Sequence, residues 1–361
     1  MSDTTASDKG RQKQDYEGVL DRSSKDLASF EEERRTFVQS IQHILHGNAT
    51  LVPIFVLVLA ILVFGTIANN FLTTFNLSLI VAQVTIIGLL GIAQTLVILT
   101  AGIDLSVAAV MMLSSVIMGG LAVNLGLPAP LAILVGLLVG GLCGLFNGVL
   151  VARVKLPPFI VTLGSWSMFY ALLLWVSGGE SIRSQDIDAT APLLKLFGHR
   201  VELFGAQFTT GSIFMVVLFG VFWFVLNHTP WGRHIYAVGD DAAAAQLAGI
   251  RTDRVLMSAY ATAGVLCAVA GWAAIGRIGS VSPQSYYEGN LDAITAVVIG
   301  GTSLFGGRGS ILGTLIGALI VGVFRSGLNL SGVDVLWQQF AVGALIILAV
   351  TIDQWLRKVS G

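Results

Sequence analysis

Residues 77–98 read LSLIVAQVTIIGLLGIAQTLVI, a run without a single Asp, Glu, Lys or Arg. About 20 mostly apolar residues are enough for one helix to cross the hydrocarbon core of a bilayer, so this stretch is one membrane span. Comparable runs flank it at 51–68, 105–124, 129–151, 157–178, 211–227, 255–275, 291–306, 310–327 and 335–353. The expected fold is therefore all-α, a polytopic transmembrane helical bundle of about ten spans. Several runs fall short of 20 residues, and short or Gly-interrupted runs suit broken or re-entrant helices.

The bulk numbers agree. Of the 361 residues 55% are hydrophobic and 11% charged, against about 25% charged in a soluble domain; the mean hydropathy is +0.82. Seven Lys/Arg and nine Asp/Glu fall within residues 1–50, which is 16 of the 41 charges. The rest of the chain is thus even poorer in charge. An ordinary soluble protein, a disordered chain and a nucleic-acid binder are excluded. The 42 glycines fit helix interfaces in lipid, where small residues let backbones approach. Cys143 and Cys267 lie inside apolar runs and read as reduced, buried thiols. No zinc-type Cys/His spacing occurs, and neither metal nor cofactor is expected.

Two domains follow from these patterns. Residues 1–50 form an N-terminal tail, polar over 1–15. From Tyr16 to His46 it carries an apolar stripe at Leu20, Leu27, Phe30, Phe37, Ile41 and Ile44, the spacing of one helix face. Ser29 and Glu32 offer a capping box within it. That helix suits the membrane surface and its lipid, or a partner's docking face. Residues 51–357 form the transmembrane domain. The charged stretch before Leu51 is too long for a signal peptide's n-region, so the first span reads as an anchor that stays.

Lys and Arg set the orientation. With a cytoplasmic N-terminus, ten spans return the C-terminus to the cytoplasm, and 15 of the 20 basic residues fall inside. An outside segment then covers about 179–210 and an inside loop about 228–254.

Catalytic equipment is lacking. No Gly-Lys dipeptide occurs anywhere, so there is no Walker A loop, and an enzyme is not expected. The five histidines all fall outside the spans. Few ionisable groups lie within the membrane, which counts against proton or ion coupling. Asp104 sits in the turn Thr100-Ala-Gly-Ile-Asp-Leu-Ser106, where it or Ser106 is placed to cap the next helix; the competing role is contact with solute. A second Gly-rich elbow follows at 300–309, and the hairpins 77–124 and 291–327 suggest an internal repeat. In the inside loop, Asp240 or Asp241 can cap a short helix over Ala242–Leu247 that Gly249 ends as a C′ residue. Such a stiff element fits either a partner's cleft or its own bundle. Gln83, Gln94, Asn147 and Thr162, with Trp166, are mid-span candidates for a solute path; each also suits interhelical hydrogen bonding or packing.

The elbow AGIDLSV (101–107), LPPFIVTLG (156–164), GRHIYAVGDDAAAAQLAGI (232–250) and AVVIGGTSLFGGRGS (296–310) together resemble the permease family of bacterial sugar ABC importers. The likeness extends over about 50–357 and is nearest to ribose- and fructose-type permeases. It implies a paired permease in the bacterial inner membrane, a cytoplasmic ABC ATPase and a periplasmic sugar-binding protein. It also implies that Asp240, Asp241, Ala244, Ala245 and Gly249 belong to an ATPase-coupling loop with a Glu-Ala-Ala-x-x-x-Gly pattern. Ala243 stands where that pattern has Glu, and Asp241 where Asn is frequent, so an ionic contact through Glu is lost. The alternative reading is an ion-coupled secondary transporter.

Overall fold

The computed structural model describes residues 51–203, 205–344, 347 and 351. The amphipathic stripe at 16–46 and the Ser29–Glu32 box lie outside the described residues, as do 345–346, 348–350 and 352–353 of the 335–353 run, whose described part 335–344 is helical. Besides the helical stretch 335–344, twelve helices are bounded among the described residues: α1 Leu51–Ile67, α2 Thr74–Leu99, α3 Val107–Gly119, α4 Ala129–Ala152, α5 Pro158–Ser177, α6 Ser184–Thr190, α7 Thr210–His228, α8 Pro230–Asp240, α9 Ala242–Leu247, α10 Thr252–Ile278, α11 Gly289–Ile299 and α12 Ile311–Leu330. Seven are long and apolar enough to cross a membrane, counting α3 with the π-helical turn Gly120–Asn124, while α1 and α11 are shorter apolar helices. The figure of ten spans is therefore approximate.

Local chemistry sets the ends. Thr73 caps α2 by accepting from the Asn76 amide (3.3 Å), and α4 and α5 each carry Pro in the first turn, where its missing N–H is not needed. The 291–306 run departs from expectation. Helix α11 stops at Ile299, because Gly301, Gly306 and Gly307 take φ of +84°, +85° and +69°, a left-handed region that ends helices. The two hairpins are built in opposite order. The first runs from long α2 to short α3, the second from short α11 to long α12. The Thr95 and Thr314 hydroxyls meet at 2.7 Å between α2 and α12.

Helix α2 is the axis of the bundle, every residue from Val84 to Thr100 being buried, as befits a helix that is apolar all round. Leu142 on α4, Ile160 on α5 and Phe224 on α7 instead lie exposed, an apolar outer surface suited to lipid. The expected glycine interfaces are present between α4 and α10. A Cβ at Gly140 would stand 2.5 Å from the Gly264 carbonyl oxygen, and one at Gly144 would stand 2.2 Å from that of Tyr260. Gly144→Leu should therefore cost the folded protein, read as loss of the monodisperse peak after detergent extraction. Gly164→Leu, where nothing lies within 4 Å, should keep it.

The segment 179–210 is folded against the bundle. Helix α6 leads through a 3-10 turn at Pro192–Gly198 into a two-stranded antiparallel hairpin, β1 Arg200–Leu203 and β2 Ala206–Thr209, the one exception to an all-helical chain among the described residues. A Cβ on Gly198 would stand 2.0 Å from the Gly276 carbonyl oxygen near the end of α10. Ile182 pairs with Val281 beyond that end.

Candidate functional site

Five of the polar residues singled out along the chain converge on the elbow between α2 and α3. The Asp104 Oδ1 accepts from the Ser106 amide (2.7 Å) and from the Ser106 hydroxyl (2.6 Å). That hydroxyl in turn accepts from Asn147 Nδ2 of α4 (2.8 Å). From α5, the Thr162 hydroxyl donates to the Ile103 carbonyl (2.9 Å). With its amide oriented to satisfy both ends, Gln94 of α2 brackets the Asp104 backbone, donating to its carbonyl (3.0 Å) and accepting from its N–H (3.2 Å). Asn290 at the start of α11 donates to the Leu105 carbonyl (3.3 Å). All five expected residues are buried. In this state the node locks a turn and does not line an open channel. Burial raises the Asp104 carboxyl above its usual pKa, and the two Ser106 donors pull the other way.

The expected cap is realised in altered form. Asp104 bonds the amide of Ser106, the residue that precedes α3, whereas the Ser106 side chain makes no capping bond. Its hydroxyl is already engaged between Asp104 and Asn147. Two acceptors or donors at this place lack a protein partner, Asn147 Oδ1 and the Tyr260 hydroxyl. Tyr260 lies against Gly102, where a Cβ would meet its hydroxyl at 2.7 Å.

Gln83 and Trp166 stay outside the node. Gln83 is half-buried and lies about 16 Å back along α2 by helical rise. Trp166 stands one turn beyond Thr162 on α5, stacked on Tyr170 (6.0 Å, 8°) and edge-on to Tyr287 (5.6 Å, 67°).

The loop at 228–254 forms two helices. Thr229 caps α8 by accepting from Gly232 N (3.2 Å). Asp241 then caps α9, its Oδ1 accepting from the amides of Ala243 (2.8 Å) and Ala244 (3.0 Å). At the far end Ile250 N donates to Ala245 O and Gly249 N to Gln246 O, both at 3.0 Å, with Gly249 at φ +85°. That pairing is a Schellman motif. Asp240 is the last residue of α8 and plays no part in the cap. Ala245 is buried and anchors α9; Ala243, Ala244 and Gln246 are exposed, and Leu247 is 91% exposed.

Where α8 ends, three backbones meet. Gly307 N donates to Leu99 O (3.0 Å), joining the second elbow to the first. A Cβ on Gly239 would stand 1.7 Å from Leu99 O and 2.7 Å from Gly307 N, and one on Gly307 would stand 2.7 Å from the Asp240 Cα. Ala101, at φ +62°, lies against Gly306 in the same contact. The Tyr236 hydroxyl donates to Gly309 O (3.0 Å), and burial pushes that phenol's pKa up, which keeps it a neutral donor. Helix α9 is thus tied by one helix to both elbows. Sequence reading placed the elbows at matching positions without bringing them together, and it passed over Gly239, Asn290 and Tyr260.

Known proteins resemble the chain over most of its length. The family model "Branched-chain amino acid transport system / permease component" matches residues 76–350. The fructose import permease protein FrcC of Rhizobium meliloti is 55% identical over 96% of this chain and 97% of its own, a match that reaches into the 1–50 tail. The ribose import permease protein RbsC of Bacillus subtilis is 38% identical over 84% and 92%. The D-allose transport system permease protein AlsC of Escherichia coli is 33% identical over 84% and 91%. No solved structure matches significantly. A multi-pass helical bundle, a family match over most of the chain and high identity to sugar permeases lead to one conclusion: the chain belongs to the permease family of sugar ABC importers.

Proposed function

We propose that this permease carries neutral monosaccharides of the fructose and ribose kind into the cell, driven by ATP that a partner hydrolyses. A cytoplasmic ABC ATPase docks on α9, a periplasmic sugar-binding protein presents solute at the opposite face, and a second copy of the chain completes the pathway. The protein lies in the bacterial inner membrane with both termini cytoplasmic, as the basic residues favour. The observation that carries this reading is the junction of Gly239, Leu99 and Gly307, through which an exposed, doubly capped helix reaches both elbows.

A partner shifts a conformational equilibrium only through its different affinity for the two states. The ATPase must therefore grip the α9 surface of Ala243, Ala244 and Leu247 differently with and without ATP, while buried Ala245 passes the displacement on through α8. Asp104, Ser106, Asn147, Thr162 and Gln94 form the hinge that this displacement works on, and Gln83 and Trp166 flank the solute path. In cells expressing the complete importer, collapsing the proton gradient with ATP preserved should leave sugar uptake intact. Uptake that stops would identify a secondary transporter.

Gly249 supplies a second test. A residue with a Cβ in left-handed geometry costs about 1–2 kcal/mol, and a β-branched one more, while the space around Gly249 is open. Strain on the cap, and not collision, is what a substitution introduces. Gly249→Val should lower sugar-stimulated ATPase several-fold, and Gly249→Asn, which tolerates this geometry, should retain most of it. Unchanged coupling in the valine variant would remove α9 from the account.

A further inference from the structure

At the end of the bundle away from α9 lies a cavity of about 450 Å³, walled by Tyr286, Tyr287, Glu288, Asp292, Arg325 and Gln339 among others. Its size falls within the range of small-molecule sites. Its position is set by the stretch 281–290. Val281 pairs with Ile182 of the 179–210 segment, and Asn290 reaches the Leu105 carbonyl beside the buried node. That stretch therefore descends from one face of the bundle to the hinge. Helix α11 continues for only 11 residues to the second elbow, a rise of about 16 Å, so Gly289 in the cavity lining stands about half the thickness of a 30 Å hydrocarbon layer from that elbow.

The lining has a distinct chemistry. Arg325 Nη2 donates to Asp292 Oδ1 at 2.5 Å, one bond from a guanidinium with five donors. Gln339 Nε2 donates to Glu288 Oε2 (3.0 Å), which leaves the second carboxylate oxygen and the amide carbonyl available. Tyr287 is 45% exposed, its ring braced edge-on by Trp166 and by Tyr170 (5.4 Å, 73°). Arg277 bonds the Tyr286 hydroxyl from outside the cavity. Charge is thus met by charge or amide, spare donors and acceptors stand beside one another, and one wall is aromatic. Hydroxyl groups and an apolar C–H face are the complement of that surface. An anionic solute would confront Glu288 and Asp292, and an aliphatic amino acid would find Val335 as the aliphatic side chain in the lining.

We propose that this cavity is a transit subsite for a neutral monosaccharide, with Arg325, Glu288 and Gln339 bonding its hydroxyls and the Tyr287 ring against its C–H face. The proposal rests on the sugar-import reading and adds to it the place where solute pauses above the hinge. Because Cys143 and Cys267 are both buried and free, an introduced thiol can report on occupancy in the full-length chain in lipid nanodiscs. Labelling of Val335→Cys by a charged methanethiosulfonate would be timed by mass spectrometry with D-fructose, D-ribose or L-leucine present. Glu180→Cys on the 179–210 segment is the control, and Gln338→Cys, also in the cavity lining, the second reporter should Val335→Cys fail to accumulate.

One of the two sugars should slow labelling in the cavity by about threefold, as expected of a site two-thirds occupied, and leave Glu180→Cys unchanged. Adding Tyr287→Ala should abolish the protection. Equal slowing at both positions, protection by L-leucine instead, or none from either sugar would overturn the subsite. Uptake of D-[14C]fructose and D-[14C]ribose by the complete importer separates the two levels. Uptake without protection discards the cavity and keeps the sugar reading, whereas uptake of neither sugar discards both.

Discussion

Gly239→Ala is expected to abolish coupled transport while leaving the bundle folded. The added Cβ would stand 1.7 Å from the Leu99 carbonyl oxygen and 2.7 Å from Gly307 N, and contacts under 3.0 Å are essentially never tolerated. Neither neighbour is a side chain that can swing away. The end of α8 must therefore withdraw by more than an ångström, into the place where Gly307 N holds Leu99 O. Overpacking of this kind costs about 1–3 kcal/mol, less than the total stability of about 5–15 kcal/mol typical of a folded domain, so the protein should still be recovered from membranes. The link from α9 to the elbows would not survive. Sugar uptake should fall by about tenfold or more, with ATPase activity no longer responding to loaded binding protein; a 1.4 kcal/mol shift between the two states already gives a factor of ten. Gly307→Ala attacks the same contact from the other elbow, where φ is +69° and the Asp240 Cα stands 2.7 Å from the new Cβ, and should reproduce the defect. Normal uptake in both variants would show that force reaches the hinge by another route.

The sequence carried what is encoded locally. Apolar runs marked the helices because their length is a property of the run itself. The cap on α9 was legible for the same reason: an Asp, a string of alanines and a Gly eight residues later are read without knowing anything else about the fold. Gln94, Asp104, Ser106, Asn147 and Thr162 were picked out because polar residues are scarce among apolar neighbours. Their convergence was not legible, since it depends on α4 and α5 wrapping the elbow. Gly239 left no trace at all, because its need for a bare Cα is imposed by the carbonyl of Leu99, 140 positions earlier. The hairpin at Arg200–Thr209 did leave a signal, the alternation of Val201 and Leu203 ahead of Gly205, but it was masked by the reading of 179–210 as a connecting segment. The end of α11 at Ile299 was hidden by the apolar residues that follow the first glycines. Tyr287 and Glu288 stand in a polar stretch that hydropathy assigns to a loop, and their place beside Arg325 and Gln339 in one cavity wall depends on helices that follow later in the chain.

The hinge itself is tested by Asp104→Ala. The carboxylate oxygen Oδ1 is the acceptor for two buried donors, the Ser106 amide and the Ser106 hydroxyl. Losing the partner of a buried donor costs about 1–3 kcal/mol each, so alanine should destabilise the permease by roughly 2–6 kcal/mol and lower its thermal unfolding midpoint by several degrees. The damage should spread, because the same hydroxyl accepts from Asn147 Nδ2, and freeing it loosens the hold of α4 on the elbow. Asp104→Asn keeps an oxygen in place for both Ser106 donors and removes only the charge. If geometry is what matters, asparagine should recover most of the stability and most of the uptake. If the negative charge acts directly on solute, asparagine should be as inactive as alanine while remaining as stable as the parent. Thermal stability and initial uptake rate, measured together for the two variants, separate a carboxylate that shapes a turn from one that handles cargo. The full engagement of Oδ1 by Ser106, and the burial of Asp104, favour the first outcome.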